Sequence, residues 1–308
     1  MSLHVFANIV TCHGVASNNR GDVEGGNIAT LQKLIWHGET HTSVSAEAIR
    51  FALRRRLEES HPGVLNRHWD EKRQKNQWRD SDFKNWHAER DNAKYVDDDL
   101  LGFMLAEGGR EEGTLARRSV LEVSRAMSLT PWDGDVHSGY ASPNATPSAQ
   151  KKGEYSTPYT AEIHATRYQY GLAMTPGQLR DPSRAAVALR SLAALGEVAG
   201  NHGRFLFDFS PESIILRLTD DPAPRLLYCF VTEDGAKSVG VTDEFRSRVG
   251  ENGADIRGDE LIIGGAFAAT KAAKELESVG ATLFPHQVKA AVEEACKRIA
   301  KHPDVKGK

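Results

Sequence analysis

Cysteine is scarce in this sequence: Cys12, Cys229 and Cys296 are the three in 308 residues. They are odd in number, scattered and without a CxxC pairing, which excludes a disulfide framework and a cysteine-rich zinc site and makes a reducing cytoplasm the expected compartment. No run approaches the roughly 20 apolar residues of a membrane helix, and the stretch from Met1 to Val10 lacks the basic start of a signal peptide. A surplus of positive charge is also missing. Lys and Arg total 39 against 42 Asp and Glu, a net charge of -3, so any nucleic-acid binding has to come from a local groove. There is no GxxxxGK[ST], no GxGxxG after a strand, no GxSxG and no HExxH, which removes the usual signatures of nucleotide hydrolysis, dinucleotide binding, serine hydrolysis and zinc proteolysis.

Histidine is plentiful, with 12 copies, yet no metal site is expected. His37 and His41 are four apart, but Gly38 lies between them and both precede the next helix cap. His13, His164 and His202 read as satisfied polar residues. Asp97, Asp98 and Asp99 are consecutive, so they point in different directions and cannot converge on one metal; a capping or solvated role is expected. Asp22 is the one acid with a position suited to phosphodiester chemistry. No cofactor is expected.

The richest stretch is His41 to Leu57. Ser43 and Ser45 are both candidate N-caps, and the first helical turn beyond them would aim free backbone N–H groups and a positive dipole end at an anion. Arg50 and Arg54 share a face beside an apolar stripe of Ile49, Leu53 and Leu57. With Arg20, Arg117, Arg118, Asn201, His202 and Arg204, they form a positive set on loops and helix starts. The planar fork of arginine suits phosphates, and neighbouring glycines let backbone approach a polyanion.

Along the chain, strands are expected at Leu3 to Thr11, Ser119 to Leu129, Tyr159 to Met174, Phe205 to Phe209, Ile214 to Thr219 and Arg225 to Val231. Helices are expected at Ser45 to Glu59, Pro182 to Ala199 (stopped by Gly200), Ala269 to Val279 and Gln287 to Ala300. Residues 61–100 interrupt this order. They hold Trp69, Trp78 and Trp86 among alternating acids and bases, a composition expected to make a mostly helical projecting insertion whose aromatics serve either internal packing or contact with nucleic acid or a partner. Pro131 to Pro158 carries four prolines and is expected to be an irregular, functional loop. The order strand, helix, strand, strand, helix, strand through Phe209 is the split βαβ pattern of an α+β ferredoxin-like domain, whose open sheet face commonly carries single-stranded nucleic acid.

Three segments taken together, Ser17-Asn18-Asn19-Arg20-Gly21 with Gly26 to Leu34, Val44 to Arg54, and Gly200-Asn201-His202-Gly203-Arg204, resemble the CRISPR-associated backbone subunit of type I Cascade effectors, in its DevR-like autoregulator branch. The resemblance covers most of the chain. It implies a hand-shaped protein. The palm is a modified RNA-recognition fold (residues 1–60, 101–132 and 159–308), the fingers are residues 61–100, and the thumb is a loop at residues 133–158. It further implies copies polymerised along CRISPR RNA, with target DNA paired to the guide and other Cascade subunits alongside. Asn18, Asn19, Arg20, Ser43, Ser45, Arg50, Arg54, Arg117, Arg118, Asn201, His202 and Arg204 are the expected RNA contacts. Glu47 stands where related subunits often have glutamine and is expected to pair with Arg50 or Arg54; His41 stands where a basic residue is common. A non-catalytic RNA-binding subunit is the leading reading. A metal-dependent ribonuclease using Asp22 and a DNA-binding regulator are the alternatives, the latter without a visible helix-turn-helix.

Overall fold

Strand β1 (His4–Thr11) is buried along nearly its whole length on both faces, as expected of a β-branched, aromatic-rich run at the centre of a covered sheet. The computed structural model describes residues 2–17, 28–87, 94–105, 115–143, 156–199, 205–251 and 253–306. β2 (Lys33–Trp36) and β3 (Glu39–Val44) form a hairpin leading into α1 (Ala46–Ser60). After α1 come a second hairpin, β4 (Arg67–Asp70) with β5 (Lys75–Trp78), and the short α2 (Val96–Leu101). β6 (Leu121–Val123) and β7 (Ala126–Ser128) follow, then the hairpin of β8 (Val136–Ala141) and β9 (Thr157–Glu162). Next are β10 (Tyr168–Met174), α3 (Arg184–Ala193) and β11 (Pro211–Thr219). The remainder comprises β12 (Phe230–Glu233), β13 (Ser238–Val241), β14 (Leu261–Gly265), α4 (Lys271–Ser278), β15 (Thr282–Pro285) and α5 (Val288–Lys301).

The α+β expectation holds. One nine-stranded sheet runs in the order β15-β14-β11-β1-β10-β7-β3-β2, with β6 pairing β10 beside β7. Its pairs are antiparallel except β14 with β15. Val5, Ala7 and Ile9 of β1, with Ile214 and Leu216 of β11, pack on the apolar faces of α1, α3 and α5. Alternation sends Phe6 and Val10 to the opposite face, where they meet Ile215, Phe230, Phe267 and Leu276 in a second core.

That second core overturns one expectation, since the central strands have no open face. Asn8 and Gln169, on neighbouring strands, are buried under the segment entering β12. Asn8 Nδ2 donates to Gln169 Oε1 at 3.1 Å and to Cys229 Sγ at 3.5 Å, Tyr228 N donates to Asn8 Oδ1 at 3.3 Å, and Gln169 Nε2 donates to Phe230 O at 3.0 Å. A nucleic-acid platform on those strands is thereby closed.

Other expectations need correction. Among the described residues, 61–100 are not mostly helical: the β4–β5 hairpin takes the middle of the insertion, because Asp70 Oδ1 accepts from Lys72 N and Arg73 N and so fixes a turn inside a run of good helix formers. The stretch from Pro131 to Pro158 is not wholly irregular. Pro158 is tolerated in β9 because the third strand of that small sheet, Ile28–Ala29, pairs only at Thr160 and Ala161. Tyr159 to Met174 is broken into β9, a short strand His164–Thr166 and β10. Ser119 to Leu129 is broken at Ser124, whose Oγ accepts from Gly171 N at 2.8 Å. Phe205 to Phe209 is no strand: Phe207 and Phe209 plug the core against Tyr168. The strand expected from Arg225 begins only at Phe230, after positive φ at Arg225 and Tyr228. α3 stops at Ala193, with Leu195 and Val198 buried outside it; Gly200 lies outside the described residues.

Asn8→Ala should lower stability by about 1–3 kcal/mol, the cost of stranding Tyr228 N–H and the Cys229 contact. Chemical denaturation checks this; an unchanged midpoint would mean that the cover is not held through Asn8.

Candidate nucleic-acid interface

Helix α1 starts where the sequence places it. Ser45 is its N-cap, with Oγ accepting from Ala48 N at 3.2 Å. The anion that reads this helix start is internal, however. Glu47 hydrogen-bonds its own backbone N–H and Ser45, with Arg125 and Arg50 nearby, and these contacts hold its carboxyl below the usual range. The expected pairing of Glu47 with the arginines is secondary to this self-capping.

The expected contact residues divide into three groups. Asn18, Asn19, Arg20, Asn201, His202 and Arg204 lie outside the described residues, as does Asp22. Arg50, Arg54 and Arg117 are turned inward. Arg50 Nη2 donates to Leu101 O at 2.5 Å and lies 3.4 Å from Ser119 Oγ. Arg54 is largely buried, 4.0 Å from Asp97, and burial lowers its pKa to about 10. Arg117 Nη2 donates to Asp99 Oδ1 at 3.2 Å and to Gln178 O at 2.9 Å. Their expected role as open forks for phosphate is corrected to that of internal cations. A carbonyl and a hydroxyl hold Arg50, while Arg54 and Arg117 turn toward an acidic partner distant in sequence.

That partner is the triplet at the start of α2, and the expected solvated role for it is also corrected. Asp97, Asp98 and Asp99 are 2%, 3% and 0% exposed. Consecutive positions do point apart, and each carboxylate serves a different neighbour. Asp97 accepts from Asn66 N at 2.7 Å and Arg67 N at 3.0 Å, anchoring the β4–β5 hairpin. Asp98 accepts from Asn66 Nδ2 at 3.0 Å. Asp99 accepts from Arg117, from Arg184 Nη1 at 2.9 Å, and from the backbone N–H of Arg180 and Asp181 at 3.0 and 3.2 Å. Gly102, with φ of +66°, ends α2 against the Arg117 backbone, where a Cβ would fall 2.2 Å from Arg117 O. Trp86 lies between the Arg180 and Arg117 guanidiniums, 3.6 and 5.1 Å from its ring centre.

The third group is Ser43, just before the β3–α1 turn, and Arg118, before β6. Ser43 is buried, but its Oγ accepts from Arg125 Nη1 at 3.1 Å, and Arg125 also donates to Gln32 Oε1 at 3.1 Å. Arg125 is exposed, as is Arg118, whose side chain is 87% exposed and pairs with Glu122 at 2.7 Å. Arg125 was not among the expected contacts. It sits between two short strands that read as one, which concealed the outward turn of its side chain. His41 is buried, donating from Nδ1 to Ser128 O at 2.9 Å, so it offers no outward charge. His164 is likewise a satisfied polar residue: it bridges Thr42 Oγ1 at 2.8 Å and Pro131 O at 3.1 Å, and burial lowers its pKa to about 4. Among the described residues, no group of three or more His, Cys, Asp and Glu could hold a metal ion, and no helix is long and apolar enough to cross a membrane.

The α+β architecture is shared with chains of two solved structures. A chain from a CRISPR RNA-guided surveillance complex in a pre-nicking state matches with a TM-score of 0.58 at 13% identity, over 96% of this chain and 100% of that one. A second CRISPR RNA-guided surveillance complex contributes a chain matching at 0.54 and 15% identity, over 95% and 99%. At such identities the likeness is one of fold. Sequence relationships go further: the family model described as CRISPR-associated negative auto-regulator DevR/Csa2 matches residues 9–184. A Myxococcus xanthus (strain DK1622) protein described as CRISPR-associated protein Cas7/Cst2/DevR is 54% identical over 303 residues, covering 97% of this chain and 98% of that protein. The chain belongs to this DevR/Csa2 family of CRISPR-associated proteins.

Adjacent substitutions in the triplet should differ in their effect. Asp99→Asn removes the carboxylate shared by Arg117 and Arg184 and should cost about 3–5 kcal/mol in denaturant unfolding. Asp98 differs because burial, with the Asp97 charge second, raises its pKa from 3.8 to about 7. A raised folded pKa means that the folded state binds the extra proton, so its stabilisation is lost as pH rises from near 4 through 7. Asp98→Asn cannot ionise, and its melting temperature relative to the parent should therefore be more favourable at pH 8 than at pH 5. An equal difference at both pH values would show that Asp98 does not titrate in this range.

Proposed function

We propose that the protein is a non-catalytic, RNA-binding backbone subunit of a type I Cascade-like effector, polymerising along CRISPR RNA and presenting the guide for pairing with target DNA. Sequence discrimination then comes from base pairing, while the protein reads backbone and shape. Family membership and the near full-length match to the Myxococcus protein support this reading. So does the strand order β11-β1-β10-β7, with crossovers through α1 and α3, which is the arrangement of a split βαβ palm. In this reading residues 61–100 are the fingers, and residues 133–158, with the β8–β9 hairpin, are the thumb. The partners are CRISPR RNA, further copies of the chain and other Cascade subunits, in the cytoplasm.

The observation that supports the RNA contact is the cluster of Arg125, Gln32 and Ser43 at the β3–α1 turn, with the exposed Arg118 a few residues before β6. It replaces the inward-facing Arg50, Arg54 and Arg117 as the phosphate-reading set. The closed central sheet directs a strand to this edge rather than across the sheet. The second reading, a DNA-binding regulator, is favoured by the word auto-regulator in the family description. Copurification separates the two: short RNA with a ladder of oligomers fits the backbone subunit, and a discrete dimer on duplex DNA fits the regulator.

Arg118→Ala combined with Arg125→Ala should leave the melting temperature nearly unchanged, since exposed pairs contribute little. The slope of log affinity for single-stranded RNA against log salt should fall by about 1.4, at roughly 0.7 per lost phosphate contact. An unchanged slope would remove these arginines from the interface.

A further inference from the structure

Glu162 is the last residue of β9, at the root of the β8–β9 hairpin, and its carboxylate is bonded to the start of β2. Oε2 accepts from Leu31 N at 2.7 Å, and the Lys33 ammonium donates to Oε1 at 2.7 Å and to Oε2 at 2.6 Å. Glu162 therefore holds the residues on both sides of Gln32. Its side chain is 12% exposed and that of Lys33 26%, and charge-assisted bonds sheltered in this way are the short, strong kind.

The same anchor is braced by Trp132. Lys33 Nζ lies 4.2 Å from the centre of the Trp132 ring, Trp132 N donates to Thr40 O at 2.8 Å, and Trp132 Nε1 donates to Ile163 O at 2.8 Å. Ile163 N in turn donates to Asp135 O at 3.0 Å, so the residues entering β8 and leaving β9 are tied to the β2–β3 hairpin. Gln32 carries this arrangement to the surface. Ser43 N donates to Gln32 O at 2.8 Å, and Arg125 Nη1 donates to Gln32 Oε1 and to Ser43 Oγ, both at 3.1 Å. An exposed guanidinium held beforehand in one direction loses less conformational freedom when it meets a phosphate.

We propose that Glu162 is the positioning residue for the Arg125 phosphate contact, an assignment that rests on the RNA-binding reading above. The carboxylate fixes Leu31 and Lys33, these fix Gln32 between them, and Gln32 with Ser43 sets the direction of Arg125. The β8–β9 hairpin and the phosphate-reading arginine thus share one anchor. Glu162 also neutralises Lys33, so the ammonium serves the anchor rather than the RNA.

Two measurements on the full chain test this. The first is nitrogen-15 NMR of the RNA-free protein with labelled arginine, in which Arg125→Ala assigns the Arg125 side-chain signal and Arg118→Ala that of Arg118. Glu162→Gln keeps an acceptor for Leu31 N and removes the charge that holds Lys33; it should move the Arg125 signal and leave the Arg118 signal in place, at a melting temperature close to that of the parent. The second is a double-mutant cycle on affinity for single-stranded RNA. Glu162→Gln should weaken binding at least about threefold in the parent and less than about 1.5-fold in the Arg125→Ala background, the non-additivity of residues that act through one another. An Arg125 signal that stays still, or equal weakening in both backgrounds, overturns the proposal. So does a slope of log affinity against log salt that steepens by about 0.7 in Glu162→Gln, because the freed Lys33 would then be taking a phosphate itself. An Arg125 signal that moves while Arg125→Ala binds RNA like the parent would leave the positioning intact and remove the RNA reading of this cluster.

Discussion

The buried Asp99 carboxylate is the constraint on which the arrangement of the insertion, α1 and α3 depends. Its oxygens take two guanidiniums and two backbone N–H groups, from the strand before Arg118 and from the entry to α3. A desolvated anion of this kind is tolerated only where several donors converge with good geometry. Its neighbour Asp97 takes the backbone N–H groups of Asn66 and Arg67 at the start of the β4–β5 hairpin, while Asp98, bonded by Asn66 Nδ2, is pushed by burial toward its protonated form. One turn of helix thus joins the insertion, α1 and α3.

This junction governs where charge can act. Arg50, Arg54 and Arg117 sit on or near elements that the junction clamps, and their forks are used inward. Of the arginines expected to contact RNA, Arg118 is exposed, and Arg125 beside the β3–α1 turn is exposed as well. The second core has a comparable effect on the sheet. With Asn8 and Gln169 bonded into the Tyr228 to Phe230 segment, that face of the central strands is covered by the chain itself.

Much of the frame was legible because local signals agree with the global fold. β1 has a β-branched, aromatic-rich run, α1 has Ser45 before a spaced apolar stripe, and α5 has Val292, Ala295 and Ile299 at helical intervals. Where local and tertiary demands part, the reading failed. The insertion is rich in helix formers, yet Asp70 imposes a turn on it. Phe205 to Phe209 is as apolar as a strand, but Phe207 and Phe209 fill a gap against Tyr168 rather than joining the ladder. Short strands such as β14 and β15 carry too few residues for a period-2 pattern to stand out.

The residue types of the candidate site were legible, and their directions were not. Sequence by itself determined that arginines and hydroxyls gather around α1, that the tryptophans of residues 61–100 lie among charges, and that the three aspartates diverge, because these follow from composition and from the 3.6-residue turn. Which arginine meets which acid depends on contacts such as Arg184 with Asp99 and Asn66 with Asp98, 85 and 32 residues apart. Only tertiary structure decided these, because in a desolvated junction the orientation of a charged side chain is set by the nearest opposite charge, whatever its distance along the chain.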